Sequence, residues 1–176
     1  MQLTFPLSMA AAIGLLLGGC AAYPSSPAAA VPSAVAAPAG TSLFLDVQAS
    51  GAQVYRCARK ADTTYAWQFV APDAALRSAA GALVGKHYAG PTWETLDGSS
   101  VAAEVKASAP SSNPSAVPVL LLAAKSHAGS GPIAGTKYVQ RLDTVGGVAP
   151  TSGCETQAQV GAEARVAYTA RYVFYR

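Results

Sequence analysis

The end of the chain repeats with period two. Val166, Tyr168, Ala170, Tyr172 and Phe174 alternate with Ala167, Thr169, Arg171 and Val173. A spacing of two is the pleat of a β-strand, whereas a helix would bring apolar residues together at every third or fourth position. A terminal strand this aromatic on one face is expected to pair centrally and close the fold. The same period begins at Leu43 and places Tyr65, Trp67 and Phe69 on one face of another strand. Thr92 to Leu96, Asp97-Gly98 and Val101 to Val105 read as a hairpin, because Asp-Gly tolerates the positive φ of a tight turn. Val119 to Ala124 is a continuous apolar run, either a strand buried on both faces or a buried helical turn, since length alone does not decide. Glycine and proline punctuate the stretch, and no amphipathic helix of three turns is written in it. The expectation is an all-β fold, an antiparallel β-sandwich or flattened barrel of about seven to nine strands. At most short helical pieces are expected, one of them near Pro72 to Ser78.

The first forty residues carry a different message. Met9 to Leu17 is apolar but too short for a bilayer, which needs ~20 residues, and it ends in Leu17-Gly18-Gly19-Cys20. A short apolar core followed by small residues is the pattern of a cleaved export signal. With the cysteine placed there, it resembles the lipobox of bacterial lipoproteins. That resemblance implies removal of residues 1–19 as a signal peptide and acylation of Cys20. Acyl chains contribute ~0.8 kcal/mol per buried methylene, enough for stable anchoring when two or more are present. Met1 to Ser8 departs from the pattern in having no Lys or Arg, and the alternative is a secreted protein whose Cys20 is incidental. Ala21 is not the aspartate that retains such proteins in the inner membrane. The resemblance therefore implies a cell-envelope protein, lipid-anchored in the outer membrane and facing the periplasm. Residues 21–40 are mostly Ala, Pro and Ser, with one tyrosine and no charge, and Pro24, Pro27, Pro32 and Pro38 bar a continuous helix. The organisation expected is a lipidated cysteine and spacer over 20–40 and one β-rich domain over 41–176.

Charge excludes one class of partner. Twelve basic and nine acidic residues give +3, with no run of Lys or Arg and no aromatics interleaved with them, so no nucleic-acid partner is expected. With Cys20 assigned to lipid, Cys57 and Cys154 remain, and export would place them where a disulfide forms. A loop near 100 residues gives ~4.7 kcal/mol in the chain-entropy treatment. The competing reading, a metal or redox site, lacks a CxxC motif, and the two histidines are far apart. No metal or cofactor is expected.

Several motifs then occur in order. Gln53-Val54-Tyr55-Arg56-Cys57 is followed by Trp67-Gln68-Phe69-Val70-Ala71-Pro72-Asp73-Ala74 and by Gly85-Lys86-His87-Tyr88-Ala89-Gly90-Pro91-Thr92-Trp93-Glu94. Asp97-Gly98-Ser99, Tyr138-Val139-Gln140-Arg141-Leu142-Asp143-Thr144, Gly146-Gly147, Ala149-Pro150, Cys154 and Tyr168-Thr169-Ala170-Arg171-Tyr172-Val173-Phe174-Tyr175 complete the set. This order resembles the family catalogued as domain of unknown function 3455, over about Gly51 to Tyr175. The resemblance implies an exported protein and carries over no catalytic residue.

Chemistry-bearing side chains are densest between His87 and Asp97. His87 could act as a general base with Glu94 or Asp97 orienting it, and Trp93 could offer a platform to a sugar ring or another apolar surface. Each has a plainer reading: His87 as a packed corner with its hydrogen bonds satisfied, Trp93 as core, Asp97 as a turn residue. Arg141 could pair with Asp73 or Asp97 as a clamp, or grip an anionic ligand. His127 falls in Ser126-His127-Ala128-Gly129-Ser130-Gly131, read as a mobile loop. No GxSxG elbow accompanies Ser99 or Ser100, and no glycine-rich loop opens onto a helix. The functional expectation is a non-enzymatic envelope module binding a glycan, a small ligand or an envelope protein. The alternative is a small hydrolase or lyase using His87 with Glu94 or Asp97.

Overall fold

A computed structural model describes residues 30–176. The leader, Cys20 and the first part of the spacer lie outside the described residues. Eight strands follow in chain order: β1 (Leu43–Arg59), β2 (Tyr65–Arg77), β3 (Leu83–Tyr88), β4 (Thr92–Thr95), β5 (Ser100–Ala109), β6 (Val119–Ala128), β7 (Tyr138–Gly146) and β8 (Glu163–Tyr175). Each pairs antiparallel with the next, and β8 pairs back onto β1, so the sheet closes into a barrel. The alternating terminal strand is the one that closes it, with Val47↔Tyr172, Ala49↔Ala170 and Gly51↔Tyr168 in register. The expected hairpin at Asp97-Gly98 joins β4 to β5, and Gly98 takes φ +83° there.

Two apolar clusters occupy the two faces of the wall. Inside lie Val47, Leu76, Trp93, Leu122, Val139, Tyr168, Tyr172 and Phe174. Outside, Val119, Leu121, Leu142 and Val173 are covered by Val35, which is 0% exposed. Val35 belongs to a single 3-10 turn, Ser33–Val35, whose carbonyl accepts a bond from Gln140 Nε2 at 2.5 Å. This revises the spacer reading: within it, the turn at Ser33–Val35 docks on the outside of β5–β8 through Val35. Proline-rich sequence bars a helix but not a docked extended segment, and one valine suffices to fix it.

Two further expectations are corrected. No helix forms near Pro72 to Ser78, because Pro72 to Arg77 lie in β2, paired with Gln53 to Gln48 of β1. Pro72 is tolerated because β3 pairs only with Ala74 to Arg77, so the proline edge has no neighbour to donate to. His127 is not in a mobile loop; it lies in β6, with Nε2 2.7 Å from the Thr136 carbonyl.

Unequal strand lengths shape the wall. β2 has 13 residues and β5 has 10, but β3 and β4 between them have only 6 and 4. The far halves of β2 and β5 therefore stand without neighbours on their facing edges. They frame a window whose sill is the β3–β4 turn at Gly90-Pro91.

Candidate functional site at the barrel window

Behind the window is a cavity of about 340 Å³. Phe69, Val70 and Pro72 of β2 form one jamb and Val105 of β5 the other. Phe69, Val70 and Val105 are 54%, 45% and 53% exposed, an unusual concentration of apolar surface for the described residues around one opening. The back wall is Gln53 of β1, Leu120 and Leu122 of β6, Arg141 of β7 and Tyr172 of β8. His87 and Trp93 make the floor.

The floor follows from register. His87 on β3 stands opposite Trp93 on β4, and both side chains point inward. Their rings stack with centroids 4.4 Å apart and 8° between planes, while Tyr172 meets both edge-on at 4.9 and 5.2 Å. Phe174 meets the Trp93 ring at 90°. Trp93 is 0% exposed with one ring face stacked on His87, so it is core beneath a cavity rather than a sugar platform. His87 Nδ1 lies 2.8 Å from the Thr92 carbonyl. A carbonyl only accepts, so Nδ1 carries the proton and Nε2 the lone pair. Burial drives the His87 pKa down to about 3, the Thr92 bond opposing and the charge of Arg141 assisting.

The carboxylates assigned to His87 are elsewhere. One residue along β4 from Trp93, Glu94 faces out, accepting from the Tyr88 hydroxyl at 2.8 Å and pairing with Lys86 at 3.1 Å. Those two partners hold its carboxyl below its ordinary pKa. Asp97 serves the turn, accepting from Thr95 Oγ1, Ser99 N and Ser99 Oγ at 2.7, 3.0 and 2.8 Å. Neither orients His87. Asp73 pairs with Arg165, so Arg141 clamps neither Asp73 nor Asp97. Instead its Nε and one terminal nitrogen donate to the Pro118 carbonyl at 3.1 and 2.9 Å.

The structure thus gathers His87, Trp93 and Arg141 and leaves Glu94 and Asp97 outside. It adds residues not singled out as functional from the sequence: Gln53, Phe69 and Tyr172, whose hydroxyl lies 3.1 Å from that of the buried Tyr168. Burial raises the pKa of both phenols, with Arg141 opposing. The signal was present for Tyr172, which shares the inward face of β8 with Tyr168 and Phe174. Gln53 Nε2 and Trp93 Nε1 are buried donors without an acceptor among the described residues.

A second, shallower cleft of about 600 Å³ lies beside the Cys57–Cys154 disulfide, between Tyr65–Trp67 and Pro150–Glu155. It is the larger of the two, but Trp67 Nε1 already donates to the Ser152 carbonyl at 2.9 Å, and the cleft is open to solvent. The enclosed, apolar cavity behind the window is the better-formed site. Among the described residues no cluster of three His, Cys, Asp or Glu could hold a metal ion.

No curated protein and no solved structure matches the chain. A family model described as protein of unknown function (DUF3455) matches residues 38–176, which takes in the whole barrel. The ordered motifs that build the window, its floor and the disulfide all fall inside that match, and the chain belongs to this family.

Proposed function

We propose that the protein is a non-enzymatic binding module of the cell envelope, which takes a small, largely apolar ligand through the window into the barrel. The observation that carries this reading is the cavity itself. Its volume falls within the ~300–1,000 Å³ typical of small-molecule sites, and its walls are apolar with a few convergent polar groups. An eight-stranded barrel is of the size that can hold one small ligand. A glycan would want more polar partners than Gln53 and Arg141 provide. A hydrolase built on His87 would want a base near neutral pKa and an orienting carboxylate, and the floor offers neither.

The envelope part of the proposal rests on Leu17-Gly18-Gly19-Cys20 and its resemblance to a lipobox. Ala30 sits beside Pro110 and Ser111 of the β5–β6 connection, at the same end of the barrel as the β3–β4 sill. A lipid on Cys20 would therefore tether the molecule from the end that carries the window.

Two measurements test the two parts. An uncharged apolar fluorophore, N-phenyl-1-naphthylamine, should bind the wild type saturably at one equivalent. Val105→Trp, a change at an exposed jamb, should abolish that binding with an unchanged melting temperature. No saturable binding to the wild type, or undiminished binding to Val105→Trp, refutes the ligand site. Cys20→Ser should move the mature protein from the detergent to the aqueous phase, and unchanged partitioning refutes the lipid anchor.

A further inference from the structure

Two basic side chains among the described residues are half-buried, Arg141 and Arg171; the other Lys and Arg residues are exposed. Arg171, on the outer face of β8, lies between two carboxylates, Asp46 at 3.3 Å and Asp143 at 2.9 Å. Arg141, on the inner face of β7, has no carboxylate within ion-pairing distance among the described residues. Taking a cation part-way out of water without a counter-ion is unfavourable, so the contrast calls for an explanation.

The Pro118 carbonyl occupies two of the five guanidinium N–H donors. Arg141 stands beside Leu120 on one side and Tyr172 on the other and lines the cavity. Its charge acts on Tyr55, His87, Tyr168 and Tyr172, which places its field inside the barrel. The cavity wall carries no second cation, because His87 is neutral at physiological pH. Everything else around the opening is apolar or an uncharged donor.

We infer that the ligand is an amphipathic monocarboxylate, its carboxylate held by Arg141 and its apolar body lying against Phe69, Val70, Val105 and Leu122. One fixed positive charge matches one negative charge, and the planar guanidinium fork fits a carboxylate with two parallel bonds. The head sits on the back wall beside the Tyr172 hydroxyl, and the tail covers the apolar jambs that are otherwise in water. This inference rests on the ligand-site reading above and adds the charge and polarity of what is bound.

The test compares decanoate with decanol, which share a chain and differ in the head group, on the wild type, Arg141→Gln and Arg141→Lys. The wild type should prefer decanoate by about tenfold or more, the size expected of a charge-assisted bond. Arg141→Gln should lose that preference, its affinity for decanoate falling to about its own affinity for decanol. Equal affinity of the wild type for both probes overturns the carboxylate inference and leaves the apolar site standing. Binding of neither probe refutes the site itself. If Arg141→Gln loses both probes because the wall at Pro118 is disturbed, Arg141→Lys decides: a retained preference for decanoate supports the ion pair, and no preference overturns it.

Discussion

His87 is held neutral by its surroundings, and that has a thermodynamic consequence. In the unfolded chain its pKa is the ordinary 6.5, and in the barrel it is about 3. Between these values the unfolded state binds a proton that the folded state does not, so stability falls as pH falls through this window. The slope is about 1.4 kcal/mol for each pH unit well below 6.5. Glu94, Asp97 and Glu104, whose carboxyls are held below their ordinary values, lose their contributions only lower, from about pH 4 downward. Chemical denaturation between pH 7 and 5 should therefore show a decline in the wild type that His87→Phe lacks. A decline of equal slope in the variant would mean that the imidazole is not the group responsible. Of the residues proposed as a site from sequence, His87, Trp93 and Arg141 converge because alternation puts them on inward faces. The same alternation sends Glu94 outward, a distinction written in the sequence once Trp93 is taken as core. The absence of a counter-ion for Arg141 was not legible, because it depends on which residues seven other ion pairs consume.

At the scale of the elements, the window exists because β3 and β4 are short. Their hairpin rises only far enough to pair Ala74 to Arg77 on one side and Ser100 to Ala102 on the other. Two glycines let neighbouring strands approach closely. A Cβ on Gly51 would lie 2.1 Å from the Asp73 carbonyl oxygen, and one on Gly85 would lie 2.2 Å from that of Glu94. Only glycine permits these approaches. The disulfide joins the far end of β1 to the long β7–β8 connection across 97 residues, with Cα atoms 5.4 Å apart. It therefore holds the connection against the barrel at the window end. Strand identity was legible from period and turn chemistry, as β4–β5 and β8 illustrate. Pro72 misled because proline in a pattern argues against a strand, unless the strand's other edge is free. The docked turn at Ser33–Val35 was hidden for a different reason: its single buried valine sits in sequence with the composition of a linker.

The whole molecule is a closed ring of antiparallel neighbours, and closure was anticipated only as one of two architectures. A sandwich and a flattened barrel share the same alternating strands, and what separates them is whether the first and last strands meet. Here they do, along nearly their full lengths, from Leu43↔Tyr175 to Arg56↔Glu163. Closure leaves an interior too wide for its aromatic floor to fill near the short hairpin, and the remainder is the cavity. On the proposed reading a ligand enters that interior rather than the cleft beside the disulfide. The chain has two tryptophans, one at each place, so two indole N–H resonances report on the two sites separately. On titration of the ¹⁵N-labelled protein with decanoate, the Trp93 resonance should shift saturably while that of Trp67, bonded to Ser152, stays fixed. A shift confined to Trp67, or no shift of Trp93 at saturating decanoate, would contradict the account.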